Sequence, residues 1–264
     1  MTKFPNAIAE RSYEERYCAF VDILGFSDLI NRLREGTTKF ESLRSLLRKI
    51  HEPIREVSLD INKTDFRAQS ISDAVALSTA ANEYGLSQLF YSLESLTLDL
   101  LYEGFFVRGA IVKGPLYHDD KMVFGEALVR AFKLERDTVR FPRVMIAREA
   151  VNDARLFPTS YAARHIQQAE DGPFFMDVLK SVGEEVRTES AKNPDLDASE
   201  SEDLNYFVNM RNTIQRRFHE AVDNPRHFEK VQWFAAYWNR SVGEMKGLPR
   251  IRGPGASPAP AVWG

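Results

Sequence analysis

Two aspartates lie in local sequence contexts that suit metal-assisted phosphate chemistry. Asp22 follows a compact apolar run, and Gly25 comes three residues later. A carboxylate at the end of a buried strand is costly unless it is paired or binds a metal ion. Asp73 follows Ser72 between two short apolar runs, where this pair suits a tight hairpin turn. Either aspartate, taken singly, is also consistent with a turn or capping residue.

The backbone that follows Asp22 suits a phosphate group. Gly25 permits a tight turn, and the chain then enters a predicted helix, whose first N–H groups are free to bind phosphate oxygens. If the hairpin pairs beside the first strand, Asp73 comes within reach of Asp22. Two such carboxylates can hold two metal ions about 4 Å apart. Because Mg²⁺ takes hard oxygen ligands and shares them with phosphates, the two contexts together predict a metal–triphosphate site.

The elements that must position these aspartates alternate between strands and helices. Strands are predicted over residues 17–23, 66–71, 75–79, 105–112 and 143–147. Helices are predicted over residues 27–34, 40–57, 86–102 and 124–136. Gly104 is the expected C-cap of the third helix, and Gly114 with Pro115 is expected to end the fourth strand. This order predicts an α+β fold, with helices layered on one sheet.

The chain changes character after about residue 150. Residues 182–203 are rich in Glu, Asp, Ser and Lys, which predicts a mobile, solvated connection. Two predicted helices follow, and their aromatic residues either pack on the sheet or contact another subunit or partner. The last residues combine Pro with Gly and Ala, which predicts a disordered tail. The predicted segments are an N-terminal segment 1–14, a catalytic domain 15–180, an acidic connection 181–203, a helical extension 204–246 and a tail 247–264.

Composition excludes several functional classes. The 264 residues carry 35 Lys+Arg and 38 Asp+Glu, a net charge of -3, which excludes a basic nucleic-acid coat and a polybasic membrane binder. The single cysteine, Cys18, excludes a disulfide framework and a cysteine-rich metal site. No apolar run approaches the roughly 20 residues that a bilayer requires, and the polar N-terminus does not read as a signal peptide. We expect a soluble, cytoplasmic protein.

Four segments resemble, in the same order, the motifs of class III nucleotidyl cyclases. Residues 20–27, Phe-Val-Asp-Ile-Leu-Gly-Phe-Ser, resemble the first metal motif of that family, and Ser72 with Asp73 stands at its glycine–aspartate turn. Residues 107–114, Val-Arg-Gly-Ala-Ile-Val-Lys-Gly, are similar to the strand before its dimerisation arm. Residues 123–135 resemble the helix that carries its transition-state residues. The resemblance covers roughly residues 15–150.

The resemblance implies a ferredoxin-like sheet with flanking helices, in a head-to-tail homodimer whose active sites lie at the interface. It implies that Asp22, Asp73 and the Ile23 carbonyl bind two Mn²⁺ or Mg²⁺ ions. The implied reaction is attack of the ribose 3′-hydroxyl on the α-phosphorus with release of pyrophosphate, in which the metals stabilise the developing charges. The β- and γ-phosphates would be held by the backbone of Ile23, Leu24, Gly25, Phe26 and Ser27.

The sequence departs from the family at the positions that read the base. Gln69 stands where adenylate cyclases have lysine and guanylate cyclases have glutamate. Met122 stands at the second base-reading position, and its thioether is only a weak hydrogen-bond acceptor. We therefore expect that this site does not read a purine edge in the usual way. Gln69 suits amide-to-amide pairing with uracil or cytosine; the alternative is that it only faces its hairpin partner.

The helix over residues 124–136 also departs from the family. Val129 and Lys133 stand where the family has asparagine and arginine. Lys133 can still neutralise a phosphate as a point charge, although without bidentate geometry. Arg130 is a candidate substitute on the same helix, and Arg67 is a further cation on the hairpin. Each of these residues is also consistent with a solvated surface charge.

A short chain with both metal aspartates and an altered base reader resembles one subgroup, the pyrimidine cyclases of the Pycsar anti-phage system. The resemblance implies synthesis of cyclic UMP or cyclic CMP, with UTP as the expected substrate, for a separate effector that reads the product. One alternative is a cytidylate or purine cyclase. Another is a catalytically inactive cyclase-like module that binds a nucleotide and signals. The expected partners are a nucleoside triphosphate and a second copy of the chain, not nucleic acid or a membrane.

Overall fold

The structure is a computed structural model, and it describes residues 13–36, 41, 64–71 and 74–254. The predicted turn at Ser72 and Asp73 lies outside these residues, as does the predicted helix over 40–57 apart from residue 41. In the part that is described, no helix is both long enough and apolar enough to cross a membrane.

Strands and helices alternate along the chain. The strands are β1 Glu14–Leu24, β2 Arg67–Ile71, β3 Ala74–Ala80, β4 Phe106–His118, β5 Val123–Phe124, β6 Val144–Ile146, β7 Ile166–Gln168 and β8 Phe174–Met176. The helices are α1 Phe26–Arg34, α2 Glu83–Tyr102, α3 Glu126–Thr138, α4 Arg148–Leu156, α5 Tyr161–Arg164, α6 Lys180–Lys192, α7 Glu202–Glu220 and α8 Pro225–Ser241. The predicted α+β fold class is confirmed.

One mixed sheet organises these elements. Its strand order is β2-β3-β1-β4-β6-β8-β7, and β5 pairs with the end of β4. The first four strands pair antiparallel, whereas β6 runs parallel to β4. The order β2-β3-β1-β4, with α2 connecting β3 to β4, is the split βαβ arrangement of ferredoxin-like folds. This arrangement places β1 at the centre of the sheet.

Helices cover both faces of the central strand β1. Tyr17, Val21 and alternate neighbours pack into the larger hydrophobic core with α2. Cys18 and Phe20 pack into a smaller core with apolar residues of α3. A strand that is buried on both faces consists almost entirely of apolar residues. This pattern made β1 recognisable from sequence. Asp22 is the polar residue near the end of this run.

Two predicted boundaries around β4 are wrong. The strand continues through Gly114 and Pro115 to His118, since β1 pairs with it as far as Leu116. Beyond Ile111, β6 no longer pairs with β4, so the nitrogen of Pro115 needs no partner on that side. Residues 123–124 form β5 rather than the first turn of the helix, because they fold back on the end of β4.

The aromatic residues of α7 and α8 pack on the rest of the fold. Phe234 contacts Phe106 of β4 with ring centroids 5.0 Å apart. Tyr206 stacks on Tyr102 of α2 at 4.8 Å. Phe106 and Phe234 belong to the same hydrophobic core as β1 and α2, and Tyr206 packs against it. Packing on the sheet is therefore the interpretation that the structure supports for this extension.

The expectations for residues 182–203 and 248–264 also differ from the structure. Residues 180–192 form α6, with Val182 and Val186 buried, because this acidic segment carries a narrow apolar stripe at helical spacing. Leu248 and Ile251 are buried too. Asn239 of α8 fixes Ile251 by exchanging two hydrogen bonds with its backbone, at 2.8 and 2.9 Å. Residues 255–264 lie outside the described part.

Candidate active site

The carboxylate of Asp22 lies at an edge of the sheet where three elements meet. In the strand register, Asp22 is opposite Ala74 of β3 and Arg108 of β4. Arg108 Nε donates a hydrogen bond to Asp22 Oδ2 at 3.0 Å. The same Nε lies 2.6 Å from Oε1 of Glu135, which α3 places over the sheet. One guanidinium group thus lies between two carboxylates.

These two carboxylates have different environments. The Asp22 side chain is 19% exposed and that of Glu135 only 3%. Burial raises the pKa of Glu135, and the negative charge of Asp22 adds to this, while Arg108 opposes it. Asp22 is therefore the carboxylate that a ligand from solvent can reach, and Glu135 is the buried one.

A fourth charged residue reaches the same place from the C-terminal extension. Burial lowers the pKa of Lys230 of α8, and the charge of Arg108 lowers it further, while Asp22 and Glu135 oppose the shift. Phe234, one helical turn after Lys230, packs on Phe106, two residues before Arg108. The helix α8 therefore places Lys230 close enough to Asp22 for their charges to interact.

The turn after β1 leaves a helix N-terminus next to Asp22. Gly25 adopts φ +89°, a left-handed conformation that favours glycine, and it is the N-cap of α1. No side chain caps this helix, so its first N–H groups are not satisfied by a capping side chain. The backbone of Ile23 to Ser27, predicted to hold phosphates, thus follows Asp22 directly at an exposed turn.

Asp73 lies outside the described residues, so its contact with Asp22 stays a prediction. Ala74, the next residue in the chain, is the register partner of Asp22, and Ile71 pairs with Ala74 on the other side. Consecutive Cα atoms are about 3.8 Å apart. The hairpin therefore pairs beside β1, which is the condition under which the sequence predicts two converging carboxylates.

The structure brings the two predicted base-reading positions to one loop. Gln69 of β2 donates from Nε2 to the carbonyl of Lys121 at 3.2 Å, and Met122 is the next residue. Arg67, also on β2, pairs with Asp120 of this loop at 3.2 Å and with Asp65 at 2.7 Å. Gln69 therefore contacts more than its hairpin partner.

Three polar atoms near this loop are buried without a hydrogen-bond partner. They are Gln69 Oε1, Arg67 Nε and Nε2 of His118, the last residue of β4. His118 is buried at the end of β4, and its ring forms a hydrogen bond with Ser78 of β3.

The cations predicted on α3 do not reach Asp22 of their own chain. Arg130 donates to the carbonyl of Lys113 at 2.9 Å and pairs with Glu149 of α4. Lys133 is exposed, two residues before Glu135 and thus on a different side of the helix. Any role for either residue at this site therefore requires the corresponding helix of a second copy.

The donor atoms at Asp22 fit a hard divalent cation. Among the residues that the structure describes, no three His, Cys, Asp or Glu side chains are arranged to hold a metal ion. The described oxygen donors are the Asp22 carboxylate and the Ile23 carbonyl, and Mg²⁺ and Mn²⁺ prefer such ligands. Glu135 Oε1 is, in addition, a buried carboxylate oxygen without a hydrogen-bond donor. Asp22 and its neighbours are thus chemically suited to the predicted ions.

Sequence reasoning missed Arg108, Glu135 and Lys230 as parts of this site. Arg108 and Glu135 both lie in the motif segments, and each had a signal in the sequence. Arg108 is a charge that interrupts an apolar strand, and Glu135 is a charge on the apolar stripe of a helix. No local signal marks Lys230, because its helix is more than 100 residues away from Asp22 along the chain.

Comparisons with known proteins find structural neighbours only. No family model and no curated protein matches the chain. The guanylyl cyclase domain of the RhoGC fusion protein from the aquatic fungus Blastocladiella emersonii matches with a TM-score of 0.41 and 13% identity, over 62% of this chain and 95% of that domain. A bacterial light-regulated adenylyl cyclase matches with a TM-score of 0.39 and 15% identity, over 64% of this chain and 53% of the neighbour. Because these TM-scores and sequence identities are low, the function is inferred from the site itself.

Proposed function

We propose that this protein is a nucleotidyl cyclase that converts a pyrimidine nucleoside triphosphate, preferably UTP, to the 3′,5′-cyclic monophosphate and pyrophosphate. The observation that carries the proposal is the position of Asp22. This accessible carboxylate lies at the end of a buried strand, directly before a left-handed glycine and an uncapped helix N-terminus. The β2–β3 hairpin, which contains Asp73, pairs beside it.

Each part of this edge has a distinct role in the proposed reaction. Asp22, Asp73 and the Ile23 carbonyl would hold two Mn²⁺ or Mg²⁺ ions, which would stabilise the negative charge that develops on the ribose 3′-oxygen and on the leaving pyrophosphate. The N–H groups at the start of α1 bind the β- and γ-phosphates. Gly25 allows the backbone to approach these phosphates closely, because it has no side chain to intervene.

The hairpin supports a pyrimidine base rather than a purine. Gln69 donates its amide N–H to the carbonyl of Lys121. Its Oε1 is buried and unpaired among the described residues, and we assign this oxygen as the acceptor for an N–H of the base once the base displaces its surroundings. Met122 offers only a weak acceptor and an apolar surface beside it. We assign uracil as the preferred base from the resemblance to uridylate cyclases, and Arg67 as a cation near it.

The proposed enzyme works as a homodimer. Three large apolar residues are exposed close together in the chain: Met122 in the β4–β5 loop, Phe124 in β5 and Val129 on α3. A second copy would cover them and bring its Lys133 toward the phosphates bound near Asp22. In this proposal the enzyme acts in the cytoplasm in anti-phage defence, and a separate effector reads the cyclic nucleotide.

The test is an assay with each of the four ribonucleoside triphosphates and Mn²⁺, with products identified by mass spectrometry. We expect cyclic UMP and pyrophosphate as the main products. Asp22→Asn should reduce turnover at least 100-fold, since one metal ligand is lost. Asp137→Asn, at an exposed position of α3, is the matched control and should retain full activity. Release of no cyclic nucleotide from any substrate would contradict the proposal.

A second candidate function is a nucleotide-binding module without catalysis. It is favoured by α3, where Val129 replaces the expected asparagine and Arg130 pairs with Glu149. The same assay separates the two functions. A binding module would retain nucleotide in equilibrium dialysis but release no pyrophosphate, and turnover of ATP or GTP alone would indicate a purine cyclase.

A further inference from the structure

The contact between Arg108 and the two carboxylates is incompletely satisfied. The Nε atom of arginine carries a single hydrogen. That hydrogen is directed to Asp22 Oδ2, at 3.0 Å. Glu135 Oε1 lies even nearer to Nε, at 2.6 Å, but receives no hydrogen bond from it. The guanidinium group therefore has two competing acceptors. The buried one, Glu135 Oε1, receives no hydrogen bond.

A divalent cation on Asp22 changes this competition. The ion would bind the same carboxylate that Arg108 now contacts, so two positive groups would lie a few ångströms apart. Such a repulsion is strong in a partly buried site, because water screens it poorly. Binding of the ion is therefore favoured when Arg108 releases Asp22. Glu135 is already within ion-pair distance of the guanidinium group and can accept it without a large movement.

We propose that Glu135 is a positioning residue that takes Arg108 away from Asp22 and so frees Asp22 for the metal ion. The inference rests on the proposed function only in assigning Asp22 to the metal. Lys230 is a further cation whose charge interacts with Asp22 and Glu135, and the ion pair of Arg136 with Asp137 lies next to Glu135 on α3. Glu135 acts through Arg108 and makes no contact with the ion itself.

The experiment measures Mn²⁺ binding to the full chain without nucleotide, by electron paramagnetic resonance of free Mn²⁺. Glu135→Gln should weaken binding about tenfold, because Arg108 then stays on Asp22. Arg108→Gln should tighten it, because the competing cation is gone. In the double variant the Glu135 substitution should have no further effect. Glu126→Gln, at an exposed position of the same helix, is the control and should bind as the wild type does.

Each alternative gives a different pattern. If Glu135→Gln weakens binding equally with and without Arg108, Glu135 is a direct ligand and the inference is wrong. If Glu135→Gln leaves the Mn²⁺ affinity unchanged, the contact between Glu135 and Arg108 is only structural, and the inference is wrong. Circular dichroism of the metal-free variants checks folding, and Glu135→Asp, which keeps the charge, replaces the glutamine variant if that one does not fold. Mn²⁺ binding with the expected pattern but no turnover would reject the cyclase proposal and leave this inference standing.

Discussion

The charges around Asp22 come from four separate parts of the chain. Asp22 and Glu135 are negative, whereas Arg108 and Lys230 are positive. In the proposed reaction this balance would change, because the phosphates of a nucleoside triphosphate would bring further negative charges. Among the described residues, Lys230 is a nearby cation outside the Asp22–Arg108–Glu135 contact, and it is partly buried. Its side chain is therefore free to respond to the phosphates.

Replacement of Lys230 should weaken substrate binding. In Lys230→Gln we expect the KM for the nucleotide to rise about tenfold, with kcat within a few-fold of the wild type, because one phosphate contact of an ammonium group is lost. Steady-state kinetics at saturating Mn²⁺ measure this. Arg226→Gln removes an exposed cation from the first turn of the same helix and should change neither constant. An unchanged KM in the lysine variant would show that α8 has no role in substrate binding.

At the scale of single residues, sequence identified the groups that follow from local pattern. Asp22 and Gly25 were recognisable because a polar residue and a turn residue interrupt an apolar strand. The partners of Asp22 were not, because they depend on the register of β4 and on the docking of α3 and α8. Asp73 was predicted on the same grounds as Asp22, and it lies outside the described residues.

At the scale of elements, strands β1, β3 and β4 share a buried polar network. Arg16 donates from Nε to Ser78 Oγ at 3.1 Å, and the same Oγ forms a hydrogen bond with Nδ1 of His118 at 2.8 Å. Burial lowers the pKa of His118 to about 4, and the positive charges of Arg16 and Arg67 contribute. The imidazole is neutral at pH 7.

This network predicts a loss of stability in acid. The unfolded chain binds a proton on His118 below about pH 6.5, but the folded chain only below about pH 4. Stability is thus complete above pH 6.5 and falls by up to about 3 kcal/mol as the pH is lowered to 4. His118→Asn keeps an acceptor for Ser78. The free energy of unfolding of this variant should fall correspondingly less between pH 7 and 4.5. Urea unfolding at both pH values measures the difference.

The control for this prediction is His219→Asn, which changes an exposed histidine on α7. It should lose as much stability in acid as the wild type does. Equal losses in the wild type and in His118→Asn would mean that His118 is not the group responsible.

Element types followed from sequence more closely than element ends. The period of apolar residues predicted β1, α2, α7 and α8, because each carries a long stripe. The end of β4 was placed too early at Gly114 and Pro115, since the open side of the strand, which tolerates proline, exists only in the assembled sheet. For the same reason β5, a two-residue strand, had no signal of its own.

At the scale of the whole molecule, most of the buried apolar residues in the described part share one large core. Phe106, Phe175 and Phe234 join β4, β8 and α8 in it. The predicted acidic connection contains α6, which also belongs to this core through Val182 and Val186. Composition predicted a solvated segment here because charged residues dominate it, whereas a few apolar residues at the right spacing suffice to bury one face.

In the proposed homodimer, the apolar residues left exposed on α3 lie in the interface. Val129 is 50% exposed and lies one helical turn from Phe132, whose partly exposed ring contacts Phe20 at 5.4 Å. Val129→Asp should convert a dimer to a monomer, because it places a charge in the covered interface. Activity should fall at least 100-fold, while the melting temperature of the isolated chain changes little, since the residue is exposed there. Sedimentation velocity and the cyclase assay measure the two effects.

Leu156, which is 72% exposed at the end of α4, provides the matched control for the dimer. Leu156→Asp adds the same charge to an apolar surface position outside α3 and should leave both the dimer and the activity intact. If the wild type sediments as a monomer at concentrations where it is active, each chain must complete its own site. Lys133 would then have no part in catalysis, because in its own chain it lies on a different side of α3 from Glu135, which faces Asp22 through Arg108.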